Sequence, residues 1–492
     1  MRDRPAVRRR QRIVALLCAL LIATSGLGCF GFKAVNVPLD QYDPSYGYRP
    51  ANREVRRDRG DIFIYVAFSG GGTRAAALAY GVMEALRETL LDESDDPRSM
   101  LDEVDTISGV SGGSFPAAYY GLFGDRIFEE FEPRFLRRNI QRGIIWRTLL
   151  PWNLVSLLTP WLSRSDIAKG IYHESVFEEA SFQTLTEARG PVIYINATDL
   201  SSGERFTFTQ GQFDLICSDL QALPIAYAVA ASSAVPMLLS PISMRNNAGS
   251  CGFERPEWLE EALSDRRGSP RQYRAARSFA GLHDPDKMYL HLVDGGISDN
   301  LGLRAGLDII EVSGSFERAA ELTDSEVADT VVVISVNAET DPDPTIDLSS
   351  AAPGFASLMN AVSGGQIRRY NFETLVLTEE VLQRLSRQAG AAGNSIETFL
   401  VEVSFESFAD ERDRRYFKRI PTSFTLSDRR VDELIWAGRE LLLDSPQYQR
   451  LVEHAGGRPA ERTTRPGDER VEGAAARRRA AGAPTWSRRR SP

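Results

Sequence analysis

Histidine is scarce in this chain, and the shortage limits what chemistry it can do. His173, His283, His291 and His454 are spread over 492 residues and form no ligand-spaced cluster. The four cysteines, Cys18, Cys29, Cys217 and Cys251, contain no C-x-x-C pair. Structural zinc needs such ligands at characteristic spacings, so no metal site is expected, and no other cofactor. An excess of positive charge is also missing, because the formal net charge is -9. A nucleic-acid partner would require a basic face, so none is expected.

What is present suits a globular protein. Hydrophobic residues make up 42% and charged residues 25%, enough to bury a large core in one domain or a few smaller ones. Residues 1–29 read as an export segment: Arg8, Arg9, Arg10 and Arg12, then the apolar run Ile13 to Ala23, then small residues up to Cys29. Leu27-Gly28-Cys29 resembles the end of a bacterial lipoprotein signal, in which the cysteine is lipidated. Gly26 stands where Leu or Val is usual, so an uncleaved anchor is the alternative, the apolar run and its flanks approaching the ~20 residues that span a bilayer. Either way the body is expected to be exported and membrane-anchored, in a bacterial periplasm or cell envelope. Residues 30–59 read as a linker or an irregular segment draped on the domain. The domain is expected over 60–455, with a polar surface insert near 244–286, and the Arg-rich tail 456–492 is expected to be disordered.

Within the domain, Ile62 to Phe68 is continuously apolar, as a strand covered on both faces should be. It ends in Ser69-Gly70-Gly71-Gly72-Thr73-Arg74, ahead of a helix-forming run. This glycine loop could cradle a phosphate, but it lacks the Walker lysine and the G-x-G-x-x-G spacing. A second apolar run, Val104 to Ile107, leads into Gly109-Val110-Ser111-Gly112-Gly113, a G-x-S-x-G pattern, with a helix expected from Ser114. Such a strand-to-helix turn lifts one serine above the sheet. An ordinary Gly/Ser loop is the competing reading. Strand, helix and strand have the spacing of one βαβ unit. Neighbouring parallel strands would bring the glycine loop and Ser111 out side by side at their carboxyl ends, where open α/β sheets place their sites.

Further strands are expected at Pro191–Ala197, Arg205–Thr209, Met288–Val293, Val331–Val336 and Phe399–Phe405. Helices are expected at Ala226–Ser233, Arg304–Glu311, Phe372–Arg387 and Arg430–Leu443. The alternation predicts an α/β fold with a mostly parallel central sheet and helices on both faces. Trp146, Trp152 and Trp161 fall in a short apolar span and suit either core packing or a lid or membrane-facing surface.

A serine nucleophile needs a base. After Asp294 only His454 remains, at the start of the tail, and His291 alternates with leucines on a strand, so a Ser-His-Asp triad is disfavoured. Asp294 ends a predicted strand and would emerge on the edge that carries Ser111. Its carboxylate would need burial to raise its pKa and a short hydrogen bond to the serine. A turn or helix-cap aspartate is the competing reading.

The Ser69–Arg74 loop, Gly109–Gly113 and Asp294-Gly295-Gly296, in this order, resemble the patatin-like phospholipase family. So do Ala230–Pro241 (AASSAVPMLLSP) and Asp299-Asn300, the likeness covering roughly residues 60–340. The resemblance implies a three-layer patatin-like architecture and a phospholipase A-type hydrolysis of acyl esters of phospholipids or other lipids, without metal, which the N-terminal segment would place at a membrane surface. It assigns Ser111 as nucleophile, Asp294 as base, and Gly70, Gly71 and Gly72, with Gly112 beside the serine, as the oxyanion hole. Arg74 matches the basic residue that closes the glycine motif; Ala75 stands where the family commonly has another glycine. Acyl transfer to an alcohol, or a non-catalytic lipoprotein that binds lipid or a partner, are the alternatives, and the oligomeric state is not legible. If the chain is exported, Cys217 and Cys251 are the cysteines left to pair besides Cys29, which predicts a disulfide between them.

Overall fold

The strand Ile62–Phe68 feeds two cores at once. Ile64, Val66 and Phe68 pack into one and Tyr65 and Ala67 into the other, the alternation that a strand sandwiched between helical layers must have. The computed structural model describes residues 36–52, 62–92, 97–150, 163–236, 238–313, 328–342, 344–348, 350, 352–391, 393 and 395–467. The export segment with Cys29, Trp152, Trp161 and the tail beyond 467 lie outside them.

Eight strands form the main sheet: β1 (Ile62–Phe68), β2 (Val104–Val110), β3 (Val192–Asp199), β4 (Arg205–Thr207), β5 (Ile242–Arg245), β6 (Tyr289–Asp294), β7 (Thr330–Asn337) and β8 (Glu397–Ser404). Their order is β8-β7-β1-β2-β3-β6-β5, with β4 against β3. The five strands from β8 to β3 pair in parallel. The pairings of β3 with β4, β3 with β6, and β5 with β6 are antiparallel. One face of the sheet is covered by the core that includes the helices Thr73–Glu88, Ser114–Phe123, Ile225–Ser232 and Asp428–Asp444. The other core takes Leu303 and Leu307 from the Arg304–Ser313 helix region and Leu377, Val381 and Leu385 from a long helix. The architecture is the mostly parallel, helix-covered sheet that the alternation of elements predicts.

The expected β1–helix–β2 unit is present, with the helix spanning Thr73–Glu88 and β1 pairing in parallel with β2. β2 runs on to Val110, so the first half of the G-x-S-x-G pattern is strand.

Several sequence expectations need correction. The helix expected at Phe372–Arg387 runs from Phe355 to Ala391. Its first half contains Gly364 and Gly365, and glycine pairs read as loop because of their backbone freedom. Residues 36–52, read as a linker or an irregular segment draped on the domain, are the latter, strapped to it. Val37–Pro38 pairs with Ser218–Asp219, and the fully buried Tyr48 donates its hydroxyl to the Ile193 carbonyl at 3.1 Å and accepts the Ile193 N–H at 2.7 Å. Residues 456–467, expected as disordered, are also bound. Arg458 and Leu90 exchange both backbone hydrogen bonds, and Arg465 pairs with Asp413 and lies over the Trp436 ring. Backbone pairing and the ion pairs of Arg462 and Arg465 hold this stretch, and neither leaves an apolar period in a sequence.

The insert is less bare than its polarity suggests. The helices Glu257–Ser264 and Pro270–Leu282 share a small core of Leu259, Ala262 and Ala276. Cys217 and Cys251 form a disulfide with Cα atoms 5.5 Å apart. Cys217 lies two residues after the helix Gln210–Leu215. Trp146 is 60% exposed on the helix Ile140–Leu149, which excludes core packing for it. Among the described residues no helix is long and apolar enough to cross a membrane.

Candidate active site

Ser111 follows the last residue of β2 and holds a positive φ of 50°. A non-glycine residue there costs of order 1–3 kcal/mol, a strain met where surrounding structure over-determines the backbone. Here the determinants are visible. The Ser111 N–H donates to Ser232 Oγ at 2.8 Å, and Ser232 in turn donates to the Asn196 carbonyl at 2.6 Å. On the other side the Ser111 carbonyl accepts Ser114 Oγ at 2.6 Å.

Ser111 Oγ donates to Asp294 Oδ2 at 2.8 Å, across 183 residues of sequence. Asp294 arrives at this edge by a route opposite to the expected one. Had β6 been a full-length antiparallel strand, its last residue would lie at the far edge of the sheet. It instead enters from beyond the carboxyl edge and overlaps β3 only at Ala197–Asp199, ending with Asp294 opposite Ala197. Asn196, one residue earlier, is the partner of Val110, so Asp294 stands level with Ser111.

The Asp294 turn is fixed as tightly as the serine. The Asp294 N–H donates to the Ala234 carbonyl and the Gly295 N–H to the Ser232 carbonyl, each at 3.0 Å. Thr198 Oγ1 donates to the Asp294 carbonyl at 2.9 Å. The second carboxylate oxygen, Oδ1, accepts the Gly296 N–H at 2.8 Å. Ser111 and Asp294 expose only 4% and 8% of their surface. Burial pushes the Asp294 pKa up from 3.8 to about 6, against the opposing pull of the Gly296 and Ser111 hydrogen bonds. A carboxylate held near neutrality and bonded to a hydroxyl can accept that hydroxyl's proton.

The glycine loop lies beside Ser111. A Cβ on Gly70 would come 3.4 Å from Ser111 Cβ, and one on Gly112 would fall 2.1 Å from the Gly72 carbonyl oxygen. Backbone therefore touches backbone where the two turns meet. Gly71 and Gly72 take φ of 145° and 61°, values that side-chain-bearing residues rarely adopt. Gly70, expected as an oxyanion donor, is corrected: its N–H donates to the Asn300 carbonyl at 3.0 Å. Among the described residues the Gly71 and Gly72 N–H groups donate to no other protein group, and with Gly112 they remain the available donors.

Arg74 is buried, and burial lowers its pKa to about 10. Its Nε donates to the Ala338 carbonyl at 2.9 Å and its Nη1 to the Ile420 carbonyl at 2.6 Å, which ties the glycine loop to β7's end and to the C-terminal region. Three residues beyond Ile420, the Ser423 carbonyl accepts the Thr73 N–H at 2.8 Å.

No histidine joins the pair. His291 Nδ1 bonds Ser243 Oγ, His283 Nδ1 the Leu215 carbonyl, and His454 Nε2 Thr330 Oγ1 at the start of β7, the opposite edge of the sheet. His173 Nδ1 is buried without a hydrogen-bond partner.

Sequence reasoning missed the residues that hold the pair in place. Ser232 carried a signal, since it lies in the Ala230–Pro241 segment already singled out. Asn196, a polar residue in an apolar strand, carried another. Ser423 carried none.

A protein-family model described as patatin-like phospholipase matches residues 66–307. Solved structures similar to the chain include two of different origin. Human GIVD cytosolic phospholipase A2 is 14% identical, with 58% of this chain and 50% of that chain covered at a TM-score of 0.32. VipD from Legionella pneumophila is 11% identical, with 86% of this chain and 71% of that chain covered at a TM-score of 0.28. The chain thus spans half the length of the human structure that it matches. No curated protein matches it by sequence.

Proposed function

We propose that this chain, whose residues 66–307 match the patatin-like phospholipase family model, is a lipid acyl hydrolase working with a Ser111–Asp294 dyad. The observation that carries the reading is the 2.8 Å hydrogen bond between a strained serine and a buried aspartate whose pKa is raised to about 6.

In the proposed reaction Ser111 Oγ attacks the acyl carbonyl while Asp294 Oδ2 takes its proton. The negative charge on the tetrahedral oxygen is met by the N–H groups of Gly71, Gly72 and Gly112. Collapse breaks the ester bond, and Asp294 returns the proton to the departing alcohol, leaving an acyl-serine. Asp294 then takes a proton from water, the hydroxide adds to the acyl carbon, and the second collapse releases the acid as Ser111 regains its proton. Gly296 keeps the carboxylate aimed through Oδ1 while Oδ2 does the proton transfer.

Release of a chromogenic alcohol from its acyl ester, followed by a panel of phospholipids, tests this. Ser111→Ala and Asp294→Asn should each abolish turnover and together should cost no more than either alone, because they remove the same unit. Substantial turnover by Asp294→Asn would sink the dyad. Export and membrane anchoring through Cys29 form part of the same proposal. Radiolabelled palmitate should enter the wild-type chain and not Cys29→Ser, and equal labelling would leave the uncleaved anchor.

A further inference from the structure

A cleft of about 370 Å³ is lined by Arg412, Arg415, Tyr416, Arg419, Ile420 and Arg430. Four of its six lining residues are arginines in a chain whose net charge is -9. The carboxylates around it are already engaged. Glu411 pairs with Arg415 at 3.3 Å. Glu433 accepts the Tyr416 hydroxyl and pairs with Arg429 at 3.0 Å. Asp413 pairs with Arg465. Arg412, Arg419 and Arg430 have no ion-pair partner among the described residues.

Three unpaired guanidinium groups around one cleft make a local excess of positive charge, which an anion of more than one charge neutralises better than a monovalent one. A single carboxylate would leave most of the cationic charge in place. Guanidinium forks match the oxygens of a phosphate in pairs, so several can share one phosphate without competing for the same oxygen. Ile420 and the Tyr416 ring supply an apolar wall for the organic part of an ester. We propose that this cleft binds a phosphomonoester dianion, supplied either by a lipid head group or by a soluble phosphate ester. The site is separate from Ser111 and Asp294 yet adjoins their support. The carbonyl of Ile420 accepts Arg74 at 2.6 Å, and Ser423, three residues on, braces the glycine loop. The proposal stands independently of the hydrolysis reading.

The test uses the full-length protein and ether-linked lipids, which have no acyl ester to cleave. Sedimentation is measured with phosphatidylcholine vesicles doped with phosphatidic acid or with phosphatidylserine at matched charge. Calorimetry measures binding of sn-glycerol 3-phosphate. A lipid source predicts that phosphatidic acid vesicles bind about tenfold more tightly than phosphatidylserine vesicles. A soluble source predicts binding of glycerol 3-phosphate and no preference between the vesicles. In either case the double variant Arg412→Gln/Arg430→Gln should bind about tenfold more weakly or worse, the loss of two charge-assisted contacts. Both side chains are exposed, so the fold should survive, and unchanged circular dichroism and melting check this. Equal affinity of wild type and double variant for every probe overturns the proposal. So does a wild type that fails to distinguish the two vesicles and ignores glycerol 3-phosphate, because the arginines would then be a diffuse surface charge.

Discussion

Asp294 is placed where catalysis and stability pull in opposite directions. As the proposed base it must be ionised, so kcat/KM for a soluble ester should level off above about pH 6 and fall roughly tenfold per pH unit below it. A pH–rate profile that stays flat down to about pH 4.5 would place the base elsewhere. The same shift has the reverse sign for folding. A pKa raised from 3.8 to about 6 means that the folded state holds the proton more tightly than the unfolded chain. That stabilisation is fully present below 3.8 and is lost as pH rises through about 6. The ionised fold therefore carries a cost of about 3 kcal/mol. Asp294→Asn should melt higher than wild type at about pH 8 and show no gain near pH 4, by differential scanning calorimetry. Ser232 invites a different experiment. It accepts the Ser111 N–H through its hydroxyl and the Gly295 N–H through its carbonyl, so one residue positions nucleophile and base together. Ser232→Ala would leave the Ser111 N–H without its acceptor in a buried place, costing about 1–3 kcal/mol of stability. It should also lower kcat at least tenfold with KM little changed, because the geometry of attack and not substrate binding is disturbed. Unaltered kcat would show that the strained serine keeps its place without this support.

Elements, more than single residues, decided what could be read beforehand. The glycine loop and the serine turn were legible because each announces itself in a few consecutive residues, and the βαβ rule then sets them side by side. Asp294 was legible as the end of a strand, but the direction of β6 was not, since an apolar run reads the same in a parallel or antiparallel partner. Its place at the site depends on where β3 stops pairing with β2, which no local pattern records. The commitment of Gly70 to Asn300 was hidden for the same reason, being a contact between distant loops. The close fit of the two turns can be probed directly. In Gly112→Ala the new methyl would sit 2.1 Å from the Gly72 carbonyl oxygen, against backbone that cannot swing aside. Overpacking of this kind costs about 1–3 kcal/mol, and the forced separation should abolish ester hydrolysis. A variant that keeps both its urea midpoint and its activity would mean that the loops are not in contact.

At the scale of the whole molecule, the sheet is only part of what holds the chain together. The N-terminal strap crosses the disulfide, with the Leu39 N–H on the Cys217 carbonyl and the Tyr42 N–H on the Cys251 carbonyl. Cutting that cross-link with Cys217→Ser/Cys251→Ser should lower stability by about 3–4 kcal/mol, the entropy returned to a 34-residue loop in the unfolded chain. Thermal melts with and without reductant test it, and identical curves would refute the cross-link. The reach of the active site along the chain has a consequence of another kind. Its parts come from the Ser69–Arg74 loop, from Ser111, from Ser232, from Asp294 and finally from Ser423, whose carbonyl takes the Thr73 N–H. Pairings so distant in sequence form late in folding. A ribosome must deliver most of the polypeptide before Ser111 can meet Asp294, and a short fragment lacks one of them while an unfolded copy holds both unpaired. Until that stretch of chain is complete and folded, the proposed dyad stays unassembled.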